Sequence, residues 1–222
     1  MSIEQEFQAI PKEDRAAYAR EFRFALRDTG AMPRDAETTS RPFLVVIGGA
    51  PGSGKTTVAR NLSELGRLPH VQSNSARHFL KSRGLSWGEN VRSLIGTVIE
   101  DLMERGYSVI CDGGVLENKE REKLREVSKG RLCIIAVTCD LDKETERAKA
   151  RFSDGKESTF EDWRPSPRLV SEYFESMKER SEKLEQMISE EKPSPIVINN
   201  DGTLKELTDQ VREAWKKIQR MI

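Results

Sequence analysis

Several residue types are scarce in this chain, and each shortage excludes something. Among 222 residues there are three cysteines and two histidines. Cys111, Cys133 and Cys139 form no CxxC pair, so neither a disulfide framework nor a paired-thiol metal or redox motif can be built. Cys111 and Cys133 fall inside apolar runs and read as buried free thiols of a reducing compartment. His70 and His78 make no metal-ligand cluster, and no Ser-His-Asp set can be assembled. His78 stands four residues past Asn74 and reads as a partly exposed structural histidine. Charge of one sign is also missing. Lysine plus arginine number 37, as do aspartate plus glutamate. No global field therefore draws the chain onto nucleic acid or a membrane. No apolar run approaches the roughly 18 residues of a membrane span. The N-terminal "MSIEQEFQAIPKEDR" lacks an apolar h-region and carries acids, so neither a secretory nor a mitochondrial leader is expected. A cytoplasmic location follows as the expectation. No internal repeat and no low-complexity tract is present.

What remains is enough for one domain of ordinary size. Hydrophobic residues make up 36% and charged residues 33%, which allows a core inside a well-solvated surface. "FLVVIGG" reads as a buried strand ending at a glycine pair. A helix is expected from about Gly54, with Val58, Leu62 and Leu65 on one face, stopping at Gly66. "HVQS" is a short strand and "SARHFLKS" a short helix closed by Gly84. Trp87, Val91, Leu94, Ile95, Val98, Ile99 and Leu102 recur at helical spacing up to Gly106. "YSVICD" is a strand, and "ENKEREKLREVSKG" a charged helix read as a solvated outer face. "RLCIIAVTC" is a strand, and Asp142 is positioned to cap the helix that runs through Arg151. Leu169, Val170, Tyr173, Phe174, Met177, Leu184 and Ile188 mark a long amphipathic helix. "SPIVINN" is the last strand. Thr203 and Glu206 form a capping box before a helix carrying Leu204, Leu207, Val211, Trp215 and Ile218.

Strands that alternate with helices imply crossover connections. The fold class is therefore α/β, a parallel sheet of about five strands with helices on both faces. Residues 1–40 stand apart as an N-terminal helical extension and linker, and residues 41–222 form the main domain. In the extension Pro11 suits a helix start, Tyr18, Phe22, Ala25 and Leu26 share a face, and Gly30 with Pro33 ends it. "RDAETTS" reads as the linker. Whether this helix packs on the core or on a partner is open in the sequence.

The chemistry concentrates in "FLVVIGGAPGSGKTT". Gly49 to Thr56 fits G-x-x-x-x-G-K-[ST], with a strand before it and a helix after it. Phosphates carry several negative charges, and successive backbone N–H groups can converge on them only in a loop free of bulky side chains. Gly49, Gly52 and Gly54 allow that, Ser53 is small, and Ala50, Pro51 and Thr57 complete the segment. The helix behind the loop adds its positive N-terminal end. Lys55 is a point charge for the β- and γ-phosphates, and the Thr56 hydroxyl is a hard oxygen suited to Mg²⁺.

These residues resemble the P-loop NTPases, and "GGAPGSGKTT" resembles the P-loop kinases among them. "VQSNSAR" and "VICDGGVLENKERE" are similar to the acceptor side and the third strand end of the polynucleotide kinase and zeta-toxin group. "ETERAKARFSDG" looks like that group's arginine-bearing lid, and "VINNDGTLKEL" like its last strand and adenine-side turn. The resemblance covers roughly residues 41–222 and is specific only at the phosphate loop. It implies ATP as co-substrate, with Lys55 and the loop amides holding it and Thr56 binding Mg²⁺. It implies Asp112 as a second-sphere or acceptor contact, Arg147 and Arg151 closing over the transferring phosphoryl group, and Arg77 holding an anionic acceptor. Plainer readings stand beside these. Asp112 can cap a turn, and Arg147 and Arg151, four residues apart, can be solvated helix residues. The Asp201–Gly202 turn satisfies turn chemistry without any ligand.

One departure matters. Where the resembling group carries an Asp that takes the acceptor's hydroxyl proton, this chain has Asn74, whose amide cannot act as a base. Asp112 is the candidate substitute. The leading expectation is a kinase that phosphorylates a hydroxyl of an anionic acceptor, best guessed as the 5′ end of RNA or DNA. The charge argument is local. Between Arg60 and Arg92 six basic residues (Arg60, Arg67, Arg77, Lys81, Arg83, Arg92) face two acids, Glu64 and Glu89. A small-molecule kinase (nucleotide sugar, antibiotic or nucleoside) and an ATP-binding regulatory module without transfer activity are the alternatives.

Overall fold

The computed structural model describes residues 10–86, 88–113, 116–153 and 167–221. A short 3₁₀ turn (Lys12–Asp14) leads into α1 (Arg15–Asp28). The order then runs β1 (Leu44–Gly48), α2 (Lys55–Gly66), β2 (His70–Gln72), α3 (Ser73–Lys81), α4 (Glu89–Glu104), β3 (Val109–Asp112) and α5 (Asn118–Val127). It closes with β4 (Leu132–Thr138), α6 (Leu141–Ser153), α7 (Pro167–Glu190), β5 (Ile196–Asn199) and α8 (Leu204–Met221). The five strands form one parallel sheet in the order β2-β3-β1-β4-β5. The expected fold class is observed.

β1 is central and buried along its whole length, which explains its uninterrupted apolar run. Its side chains alternate between two cores. Leu44 and Val46 join α1, α3 and α4 through Phe22, Leu26, Leu80, Val98, Ile99 and Leu102. Val45 and Ile47 join α2 and α8 through Val58, Leu62, Val211 and Ile218. Ile134 and Ala136 of β4 meet Leu184 and Met187 of α7 in a third cluster.

The N-terminal helix packs on the core. Phe22 of α1 lies 5.1 Å, ring to ring, from Phe79 of α3. Arg23 Nε meets Asp101 Oδ2 of α4 at 3.0 Å. The chain after α1 is also tied down. Ala31 accepts from the His70 amide at 2.7 Å, and the Thr39 amide donates to Gly106 at 2.8 Å.

α2 ends at Gly66 as expected, with Arg67 in the left-handed position after it (φ 53°). A Cβ at Gly66 would strike the Trp215 ring. Two local expectations change. α6 is capped by Asp140 rather than Asp142: Asp140 Oδ1 accepts from the amides of Asp142 (3.0 Å) and Lys143 (3.4 Å). α5 is not wholly a solvated face. Arg121 is 5% exposed and its Nε lies 2.7 Å from the buried Glu191 Oε2, with Arg125 on the other oxygen. Trp87 and the residues after Ser153 in "FSDG" lie outside the described residues, as do the side chains of Leu169, Val170, Tyr173 and Phe174.

Candidate active site

The turn from β1 into α2 is built by backbone freedom at Gly52 and Gly54. Both hold positive φ, 84° and 95°. A Cβ on Gly52 would collide with the backbone carbonyl of Glu144, and one on Gly54 with the Asn200 side chain. No other residue fits either place, since strain and contact act together. The loop is braced from three sides. Lys55 Nζ donates to Ala50 O at 2.6 Å. Asn200 Nδ2 donates to Ser53 O at 2.8 Å. Arg147 donates to Gly52 O at 3.5 Å and to Asn200 O at 3.2 Å. Ser53 is fully buried, and its Oγ has no hydrogen-bond partner. An orphaned hydroxyl inside a glycine-built cradle at a helix N-terminus fits a phosphate group.

Asp112 ends β3, in register with Ile47 of β1 and Gln72 of β2. Its Oδ2 accepts from Thr56 Oγ1 at 3.0 Å, and its carbonyl accepts from Ser73 Oγ at 2.9 Å. His70 Nε2 stands 3.5 Å from the same Oδ2. Burial opposes ionisation of this carboxyl. The His70 hydrogen bond, the Thr56 hydroxyl and Lys55 outweigh that opposition and hold the group below the ordinary aspartate value. Thr56 and Asp112 together offer the hard oxygens that Mg²⁺ uses alongside phosphate and water. Among the described residues no cluster of three or more His, Cys, Asp or Glu could hold an ion alone, so this donor set suits an ion that arrives with a phosphate ligand.

On the far side of the loop, Glu144 of α6 is 1% exposed and its Oε2 has no hydrogen-bond partner. Burial pushes its carboxyl up to about 7, opposed by Lys55 and Arg147 and reinforced by Asp201 and Asp140.

The structure brings Lys55, Thr56, Asp112 and the Gly49–Thr57 loop together, with Asn74 and Arg77 on α3 just past β2. Asn74 is exposed and accepts from Arg77 Nη1 at 3.0 Å. Arg147 lies behind the loop, against Gly52, Cys139 and Asn200. Arg151 is one turn farther along α6, its side chain outside the described residues. Asp201 is engaged in a turn, where its Oδ1 accepts from the Asp140 amide at 2.6 Å. Several of the basic residues counted between Arg60 and Arg92 are ion-paired. Arg67 meets Asp35, Arg83 meets Glu21, and Arg92 meets Glu89 and Glu120. The sequence reading assigned no role to His70, Glu144 or Asn200. Only Asn200 carried a signal, its place at the end of the last strand.

A family model described as "AAA domain" matches residues 44–182. No curated protein sequence matches the chain. Among solved structures, the chain is similar to a gluconokinase from Sinorhizobium meliloti 1021, with 19% identity and a TM-score of 0.55. That match covers 82% of this chain and 95% of the other. It is similar to a structure from the PezAT toxin-antitoxin system of Streptococcus pneumoniae, with 13% identity, a TM-score of 0.59, and coverage of 96% and 95%. It is also similar to a chain of the Pnkp1/Rnl/Hen1 RNA repair complex, with 17% identity, a TM-score of 0.55, and coverage of 72% of this chain and 49% of that one. At these identities the likeness is one of fold.

Proposed function

The chain belongs to the AAA domain family of P-loop NTPases, and on that premise we propose that it is an ATP-dependent kinase that transfers the γ-phosphoryl group to a hydroxyl of an anionic acceptor. The observation that carries this reading is the joint placement of the glycine-built loop, Lys55, and the Thr56–Asp112 pair at 3.0 Å. The loop amides and Lys55 bind the triphosphate. Thr56 and Asp112 are the residues that would hold Mg²⁺, which when bound neutralises phosphate charge. Arg147 and Arg151 serve the nucleotide and the transferring group from α6. The acceptor binds over α3, beside Asn74 and Arg77.

Catalysis here rests on positioning and charge more than on proton abstraction. Phosphoryl transfer passes through a loose transition state, and general-base help is typically worth about 10²–10⁴-fold. Asn74 supplies no base. Asp112, held ionised below its ordinary range, is a weak base and a good electrostatic contact. A modest turnover follows from that pair.

The acceptor is an anionic molecule, and a polynucleotide 5′ end and a small compound are its two forms. Ion pairing of Arg67, Arg83 and Arg92 removes much of the charge excess that a polynucleotide would use, which favours a small acceptor such as a nucleotide sugar. The experiment is transfer of labelled γ-phosphate to a panel of 5′-hydroxyl RNA and DNA, nucleosides and nucleotide sugars. Transfer to one of them, lost in Lys55→Ala with the fold intact, is expected. Mg-ATP binding without transfer to any would make the protein a regulatory nucleotide-binding module. An unchanged Mg-ATP thermal shift in Lys55→Ala would remove the phosphate-loop assignment itself.

A further inference from the structure

Beyond its effect on the Asp112 carboxyl His70 has been given no role, yet it is 3% exposed and its ring sits between two polar groups, Gln72 and Asp112. Gln72 Nε2 is 3.1 Å from His70 Nδ1, and Gln72 Oε1 accepts from Ser75 Oγ at 3.3 Å. With the Gln72 amide in this orientation its Nε2 donates to Nδ1, and the ring proton then sits on Nε2. The other assignment fails on charge. It would turn a bare Nε2 lone pair toward the ionised Asp112. Nε2 has no closer partner, being buried and otherwise unsatisfied, and its nearest acceptor is Asp112 Oδ2 at 3.5 Å. That same oxygen receives the Thr56 hydroxyl. Behind the ring lies a cavity of about 580 Å³ lined by Ala31, Arg60, Ser63, Arg67, Gln72 and Ser75. The imidazole is also part of that lining.

We infer that His70 is a positioning residue, whose Nε2–H holds the Asp112 carboxylate in place for Thr56 and its cation while Gln72 and Ser75 fix the ring. The inference rests on the kinase reading of the site. Burial of a carboxylate is tolerated only with donors aimed at it. The imidazole is the donor left to Oδ2 whenever Thr56 gives up its hydrogen bond. Residues that orient a metal-side carboxylate are commonly worth 10–100-fold in metal affinity. The chain Ser75–Gln72–His70–Asp112 also joins the start of α3, where the acceptor is placed, to the metal side of the phosphate loop.

Calorimetric titration of ATP, with Mg²⁺ and separately with EDTA, tests this on the full chain. His70→Phe keeps the bulk and removes the donor. His70→Gln keeps an N–H at similar reach. The expected result for His70→Phe is a loss of about tenfold or more in ATP affinity with Mg²⁺, no change in EDTA, and recovery in His70→Gln. Equal loss in both conditions, no loss at all, or no recovery in His70→Gln would overturn the inference. Wild-type protein that binds no ATP would instead overturn the kinase reading, and the inference with it. Should His70→Phe fail to fold, ¹⁵N imidazole shifts of the wild type decide: the Nε2–H form is expected, and a neutral ring protonated at Nδ1 would sink the proposal.

Discussion

Glu144→Gln isolates the cost of one buried carboxylate beside the phosphate loop. Glu144 is 1% exposed, and burial is the chief reason its carboxyl rises from 4.5 to about 7. The folded state therefore holds a proton that the unfolded state releases between those values. Stability falls as pH rises through that window, and the full penalty is present above about pH 7. At about 1.4 kcal/mol per pKa unit the rise from 4.5 to about 7 bounds the penalty at about 3.5 kcal/mol, and relaxation with water entering around the ionised group brings the working figure to about 2 kcal/mol. Gln has nearly the same shape and never ionises. The variant should match wild type at pH 4.5 and exceed it at pH 8 by about 2 kcal/mol, which for a chain of this length is about 4–8 °C in Tm. Scanning calorimetry at the two pH values, without nucleotide, reads the difference. A Tm gap that stays constant across the range, or that widens toward acid, would refute the reasoning, since neither can come from a raised carboxyl.

Asn74→Asp should raise turnover of the true acceptor, while Asp112→Asn should remove most of it; steady-state rates of both variants check the division of labour between the two positions. Asn200→Ala removes the donor to Ser53 O and should cost about 1–3 kcal/mol in denaturant melts together with weaker Mg-ATP binding, because a buried carbonyl of the loop loses its partner. Glu191→Gln leaves Arg121 buried without its carboxylate and should destabilise the fold by about 3–5 kcal/mol in urea unfolding, leaving the Mg-ATP affinity of the folded fraction unchanged.

Local rules make much of this protein legible in its sequence. Apolar runs such as Phe43–Gly48 and Leu132–Thr138, glycine and proline breaks, and helical periods identified the strands and most helix bounds among the described residues, because those signals act between near neighbours in the chain. The phosphate loop was legible for the same reason: its conformation and its chemistry both lie within nine consecutive residues, Gly49 to Thr57. Tertiary structure decided what depends on residues far apart. The His70–Asp112 contact spans β2 and β3. The bracing of Ser53 by Asn200 joins the first strand's turn to the last strand's end. Arg121 reads as a solvated charge until Glu191, seventy positions later, folds against it. Arg67, Arg83 and Arg92 read as a basic patch until Asp35, Glu21 and Glu120 neutralise them. Charge and burial are properties of a neighbourhood. In a parallel sheet every neighbouring strand arrives by a crossover of a dozen residues or more, so the partners that set a side chain's charge state are spaced beyond the reach of any local pattern.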